Sequence, residues 1–167
     1  LSALTMNIFL PSLPGMATYF GVPYGVMQQS VALYLALSAA LQIVIGPISD
    51  RYGRRKVLIG ALILFLLATI GTLLATTATW FLIFRMAQAV IAAGMVLSRA
   101  VVRDMVADER AASMIGYVTM GMSLVPMVGP VIGGVLDDLY GWKANFALLL
   151  ILGLGTLALV WADLGET

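Results

Sequence analysis

Apolar residues in this chain neither alternate nor keep to one helical face; they come in blocks of about 20 residues separated by short polar or charged turns. The blocks lie near 1–20, 28–49, 57–76, 79–101, 112–136 and 143–163, and each is long enough for a membrane-crossing helix. Lipid offers no partner to free backbone groups, so the blocks are predicted to be helical. Gly21, Pro23 and Gly25 mark the turn after the first block, and Asp137, Asp138 and Gly141 the turn after the fifth. Trp80 and Trp142 fall at predicted span ends, where interfacial aromatics belong. The expected fold is an all-α membrane protein, with residues 1–167 forming one bundle of six transmembrane helices and no soluble domain or linker.

Composition supports this pattern. The 167 residues are 62% hydrophobic and only 10% charged, with mean hydropathy +1.04, whereas a soluble domain carries about 25% charged residues. The charges cluster, with Arg51, Arg54, Arg55 and Lys56 in one group and Arg99, Arg103, Asp104, Asp108, Glu109 and Arg110 in another. Basic residues concentrate after spans two and four, so the positive-inside rule puts those turns and both termini in the cytoplasm. A net charge of +1 gives no reason to expect a nucleic-acid partner; the lipid bilayer is the expected one. The chain has no cysteine and no histidine, which removes disulfides, thiol chemistry, imidazole bases and most transition-metal sites. Without histidine or paired intramembrane carboxylates, an intramembrane enzyme is not expected. The chain starts at Leu1 without an initiator Met and stops at Gly165-Glu166-Thr167 directly after an apolar block, so a piece of a longer protein is expected.

Five segments carry candidate chemistry. Between spans two and three stands Gly46-Pro47-Ile48-Ser49-Asp50-Arg51-Tyr52-Gly53-Arg54-Arg55-Lys56. Its cations would each cost about 2.5–3.5 kcal/mol at mid-membrane, which predicts a loop. A topogenic basic loop explains the cations; it does not explain the order, in which Gly53 permits a tight turn and Asp50 can bond Arg54. Span five holds Gly121, Pro126, Gly129, Pro130, Gly133 and Gly134, where the prolines remove backbone hydrogen bonds and Gly129 and Gly133 allow close helix approach, either for function or as ordinary membrane packing. Arg85 is the one charge well inside an apolar span, facing a cavity or partner, or else snorkelling toward the interface near Trp80; Gln88 follows one turn later on the same face. In span one Pro11 and Pro14 kink or end the helix and expose carbonyls, while Asn7 is placed to bond substrate or a neighbouring helix. Beyond span four, Arg99 and Arg103 share a helix face suited to lipid phosphates.

The string from Asp50 resembles the signature loop of the major facilitator superfamily. The resemblance implies a conformational gate formed by Gly46, Asp50, Arg51, Gly53, Arg54 and Arg55, with Asp104 as a pairing partner. Gly129-Pro130-x-x-Gly133-Gly134, with Gly121 upstream, resembles the antiporter motif of the drug:proton branch. Arg85 and Gln88 resemble the span-four motif linked to proton movement, with Ala89 where glycine is usual. Span one is similar to that of the bicyclomycin and chloramphenicol resistance (Bcr/CflA-type) subfamily, in which an aspartate is common at the position of Asn7; asparagine cannot titrate. Together these imply the amino-terminal six-helix half of a transporter whose carboxy-terminal half is absent from this chain. The implied activity is secondary active multidrug efflux from the bacterial inner membrane by drug:proton antiport, powered by the proton gradient and needing no cofactor or metal. The implied substrate is a small amphipathic drug-like compound, met by Asn7, Gln42, Arg85 and Gln88 with Met6, Phe9 and Tyr34 as apolar contacts. A half-size transporter working as a homodimer and a non-transporting scaffold are the alternatives.

Overall fold

The computed structural model describes residues 1–164; residues 165–167, the polar end expected after span six, lie outside the described residues. Span one is split, with α1 (Ser2–Asn7) and α2 (Leu13–Phe20) flanking a 3-10 turn at Leu10–Ser12. Spans two and three are α3 (Tyr24–Tyr52) and α4 (Arg54–Leu74). Span four is α5 (Ala78–Ala87) and α6 (Ala93–Met105), joined by a 3-10 stretch at Gln88–Ala92. Spans five and six are α7 (Asp108–Tyr140) and α8 (Lys143–Asp163). Among the described residues five helices, counting Ala78–Met105 as one, are long and apolar enough to cross a membrane, and the broken first span is the sixth. The all-α six-helix bundle expected from the apolar blocks is the fold observed.

Two expectations need correction. Residues 50–56 are not a loop: α3 runs through Tyr52, α4 starts at Arg54, and only Gly53 between them leaves the helical conformation, at φ +93° and ψ 134°. Cations have to leave the hydrocarbon, but they need not leave the helix. Helix ends that project into the interface keep their charged side chains wet, so α3 and α7 both outrun their apolar blocks. Trp142, expected at the interface, is only 6% exposed. It packs with Phe20, Phe81 and Phe146 at ring-centroid distances of 5.5–5.8 Å and joins α2, α5 and α8 at the end of the bundle away from Gly53. Trp80, by contrast, is 55% exposed at the start of α5.

Span four and α4 form the centre. α4 packs along α8 and against α5, the 3-10 stretch and α6, and α3 crosses span four on its other side. α7 leans on the broken first span through α1 and the 3-10 turn, and on α6 and α8. The inner face of α3 carries Met27, Ser30, Tyr34, Ser38, Ile45 and Ser49 at helical spacing, all buried. Large apolar residues such as Ile43 on α3 and Met127 and Val131 on α7 are exposed. The bundle therefore has a packed interior around span four and two apolar flanks.

Candidate functional site

Arg85, in the last turn of α5, is fully buried. Its side chain turns inward, which rules out snorkelling. Nη2 donates to the Thr5 carbonyl oxygen at 2.9 Å, and Nη1 donates to Gln88 Oε1 at 3.1 Å. The guanidinium carbon lies 3.9 Å from the Tyr34 ring centroid and 4.2 Å from that of Phe9. Aromatic faces attract a cation most strongly where water is excluded, at about 2 kcal/mol or more. Gln88 Nε2 then donates to Thr69 Oγ1 at 2.8 Å, and that hydroxyl donates to the Phe65 carbonyl at 2.8 Å. The chain of bonds thus links span one to span four and span four to span three.

The broken first span makes this possible. Pro11 has no N–H to give the Asn7 carbonyl, and its ring would collide with it in a continuing α-helix. The α-helical ladder of α1 ends with Ile8 N–H donating to Leu4 O, and the next backbone bond joins Ser12 N–H to Phe9 O. Thr5 O lies just past the last acceptor of that ladder, and it accepts from Arg85 instead. The same break seats Ser12, whose Oγ accepts from Asn145 Nδ2 of α8 at 2.9 Å, with both residues fully buried. Span one is thus held from two sides, by Arg85 at Thr5 and by Asn145 at Ser12.

The third neighbour of span one is the glycine stretch of α7. A side-chain carbon at Gly133 would fall onto the Ile8 carbonyl oxygen and lie 2.8 Å from its carbon. At Gly129 it would lie 3.3 Å from Leu4 Cδ1, and at Gly134 3.8 Å from Pro11 Cβ. The backbones of α7 and span one thus meet where a hydrogen replaces Cβ. Gly121 has open space around it and Pro126 is exposed, so the upstream part of the stretch stands away from this seam. Pro130 is half-buried.

At the Gly53 hinge, Arg54 is held from two helices. Its Nε lies 2.6 Å from Asp104 Oδ2 of α6, and its Nη2 lies 3.2 Å from Asp50 Oδ1. Arg55 turns elsewhere, with Nη2 donating to the Trp161 carbonyl at 3.1 Å and its guanidinium over the Trp161 ring. Arg51 is exposed and lies over Tyr52, and Gly46 sits nearly two turns before the end of α3 with open space around it.

Of the residues assigned to a cavity, Phe9, Tyr34, Arg85 and Gln88 come together, enclosed in the bundle. Asn7 faces α7, near Gly129, and its Nδ2 donates to the Ala3 carbonyl at 2.8 Å. Met6 and Gln42 are half-buried and take no part in the Arg85 bonds. Sequence reasoning passed over Thr5, Thr69, Ser12 and Asn145. A threonine or serine in a span is unremarkable because its hydroxyl can bond its own helix, as Thr5 Oγ1 does to Leu1 O. Asn145 was the legible signal, an amide just inside an apolar block.

Comparison with known proteins places this geometry in a family. The family model described as Major Facilitator Superfamily matches residues 1–166. The chain is 37% identical over 160 residues, 95% of its length, to a chloramphenicol resistance protein of Pseudomonas aeruginosa. It is 32% identical over 165 residues to the multidrug resistance protein MdtM of Salmonella typhimurium, and 30% identical over 153 residues to multidrug resistance protein D of Escherichia coli, covering 98% and 91% of this chain. It spans about two fifths of the length of these curated relatives, 38%, 40% and 39% respectively. The match runs through the split first span, the Gly53 hinge, buried Arg85 and the glycine seam alike: the chain belongs to the Major Facilitator Superfamily, a family of membrane transporters rather than enzymes.

Proposed function

We propose that these six helices are the amino-terminal half of a bacterial multidrug exporter of the bicyclomycin and chloramphenicol resistance type, working by drug:proton antiport. The observation that carries the reading is Arg85, a cation enclosed in the bundle and hung on a carbonyl that span one frees by breaking. Intramembrane charges are costly and are kept where they act on a substrate or ion path. Names of the relatives, chloramphenicol resistance and multidrug resistance, support export of small amphipathic compounds.

In this reading Met6, Asn7 and Gln42 border the substrate cavity, and Arg85, Gln88, Tyr34 and Phe9 form the enclosed layer behind it. Two six-helix halves rock about a site near the bilayer midplane, and the second half lies beyond this chain. The basic hinge faces the cytoplasm, as the positive-inside rule requires, and both ends of the chain lie on that side. Arg54, bridging Asp50 and Asp104, sets the spacing of α3, α4 and α6 there and serves as the gate. The glycine seam lets α7 slide on span one as the halves rock. Proton and substrate then favour different states, and each changes the affinity for the other. Asn7 does not titrate, so the proton is carried elsewhere in the full-length transporter.

Efflux of chloramphenicol and of a fluorescent amphipathic dye from cells expressing the full-length protein tests this, with and without an ionophore that collapses the proton gradient. Gradient-dependent efflux of either is expected; efflux indifferent to the gradient would defeat antiport, and none of either compound would defeat the exporter.

A further inference from the structure

Span four changes its winding where its own sequence gives no reason to. Residues Gln88–Ala92 form a 3-10 helix between α5 and α6. Yet the run Gln88-Ala89-Val90-Ile91-Ala92-Ala93 holds neither proline nor glycine and is half alanine, the best α-helix former. Hydrogen bonds are poorer in a 3-10 helix than in an α-helix, so the neighbours of this stretch must hold it. They do so near both ends. Arg85, just before it, donates to the Thr5 carbonyl at 2.9 Å and to Gln88 Oε1 at 3.1 Å, and Gln88 Nε2 donates to Thr69 Oγ1. Toward the far end Ser2 Oγ donates to the Ile91 carbonyl at 2.7 Å, and a side-chain carbon at Gly94 would stand 3.2 Å from Ser2 Oγ. Ser2 and Thr5 are about one turn apart on α1, so one face of span one grips the stretch at both ends.

We propose that this stretch is a conformational switch: when span one lets go, it rewinds as α-helix and turns α6, carrying Asp104 off Arg54. Each residue that rewinds shortens span four by about 0.5 Å and turns everything beyond it by about 20°, the difference between the two windings. Two rewound residues swing a side chain about 5–6 Å from the helix axis through roughly 4 Å. That is enough to part Arg54 Nε from Asp104 Oδ2, now 2.6 Å apart. α6 has room for the turn. Its buried face is the small Ala93 and Ala100 beside Leu97. Along Ser98, Val101 and Met105 runs a groove of about 480 Å³, walled across from them by Leu58 of α4 and Leu159 of α8. Beyond its end, Val106 and Ala107 are non-helical and form a two-residue joint to α7. The consequence for the gate rests on the exporter reading; the switch within span four does not.

The test uses the full-length protein in lipid nanodiscs, with spin labels on introduced cysteines and any cysteine of the remaining chain replaced. Two pairs, Arg103→Cys with Lys56→Cys and Arg103→Cys with Ala162→Cys, report the end of α6 against α4 and α8, all at exposed positions. A third pair, Trp80→Cys with Tyr140→Cys, reports the opposite end of the bundle, where α5 begins before the stretch. Distances are read by double electron–electron resonance. Ser2→Ala removes the grip on Ile91, Gly94→Ala pushes the serine aside, and Ser2→Thr keeps the hydroxyl. The first two variants should populate a new distance, shifted by about 4 Å, in at least one Arg103 pair. The third pair should stay unchanged, and Ser2→Thr should match the unsubstituted protein. Unchanged Arg103 distances in both variants overturn the switch. So does an equal shift of the third pair, which would mean that the whole bundle moves. Should Gly94→Ala fail to reach the membrane, Ser2→Ala, which deletes a single hydroxyl, decides. An Arg103 shift that leaves gradient-dependent efflux at its original level would sink the gate at Arg54 and Asp104 and keep the switch.

Discussion

Replacing Gly133 by alanine adds one methyl group at the tightest point of the seam between α7 and span one. The new carbon would overlap the Ile8 carbonyl oxygen and stand 2.8 Å from the Ile8 carbonyl carbon. Ordinary carbon–carbon contact begins at about 3.5 Å, so the two backbones must separate by something near 1 Å, and more to clear the oxygen. No side-chain rotation can relieve this, since both obstructing atoms are main chain. Overpacking of this kind costs about 1–3 kcal/mol, and lipid returns little by hydrophobic burial because its tails are as apolar as the added methyl. Span one cannot retreat freely, being held by Arg85 through Thr5 O and by Asn145 through Ser12. Gly129→Ala should cost less, because its obstacle is the flexible end of Leu4, and Gly121→Ala should be near neutral, having open space. Thermal unfolding of the purified full-length protein, with its level in the membrane of expressing cells, should rank the variants in that order. Gly133→Ala matching wild type in both assays, or Gly121→Ala as damaging as Gly133→Ala, would refute the seam.

Three further outcomes follow from the geometry. Gly53→Ala forces a side chain into φ +93° and should destabilise the protein by about 1–3 kcal/mol, read as a lower melting temperature. Thr69→Val leaves Gln88 Nε2 without its acceptor, and Gln88→Leu removes the amide from both its bonds; by double-mutant cycle the coupling should be near 0.6 kcal/mol, with about 1.7 as a ceiling, and strict additivity would deny the bond. Arg54→Gln and Asp104→Asn should couple by no more than about 1 kcal/mol in stability, because Asp104 keeps a third of its side chain in solvent, and the coupling should shrink in high salt.

The blocks of apolar residues made the bundle legible because a bilayer enforces length and composition at once. What they could not register was a helix that stays helical after leaving the hydrocarbon. The cost of burying cations predicts a loop at residues 50–56, and that cost is real, yet it falls on side chains and not on the backbone. One glycine turned the chain there, and Arg54 could reach Asp50 and Asp104 from a helical position. Trp142 failed for a related reason: its position at a span end matched an interfacial anchor, but aromatic partners from α2, α5 and α8 enclosed it. Arg85 and Gln88 were legible from charge and spacing alone. Their partners were not, since the acceptor for Arg85 is a backbone carbonyl, which every residue possesses.

That carbonyl gives span one its place in the design. A continuous helix through Thr5 would make Arg85 share that carbonyl with the ladder, in a site where water offers no replacement. Pro11 denies the Asn7 carbonyl its ladder bond, and in the break around it Thr5 O accepts from Arg85 and Ser12 is turned to Asn145. Ile8 then presents its carbonyl to Gly133, where only a hydrogen fits. The buried cation, the serine–asparagine bond and the glycine seam thus meet on a few residues of one broken helix. A shift of span one would be felt at all three together. Pairwise couplings among Arg85, Asn145 and Gly133 variants should therefore be non-additive although the residues sit on different helices, and additive effects would mean that span one does not link them.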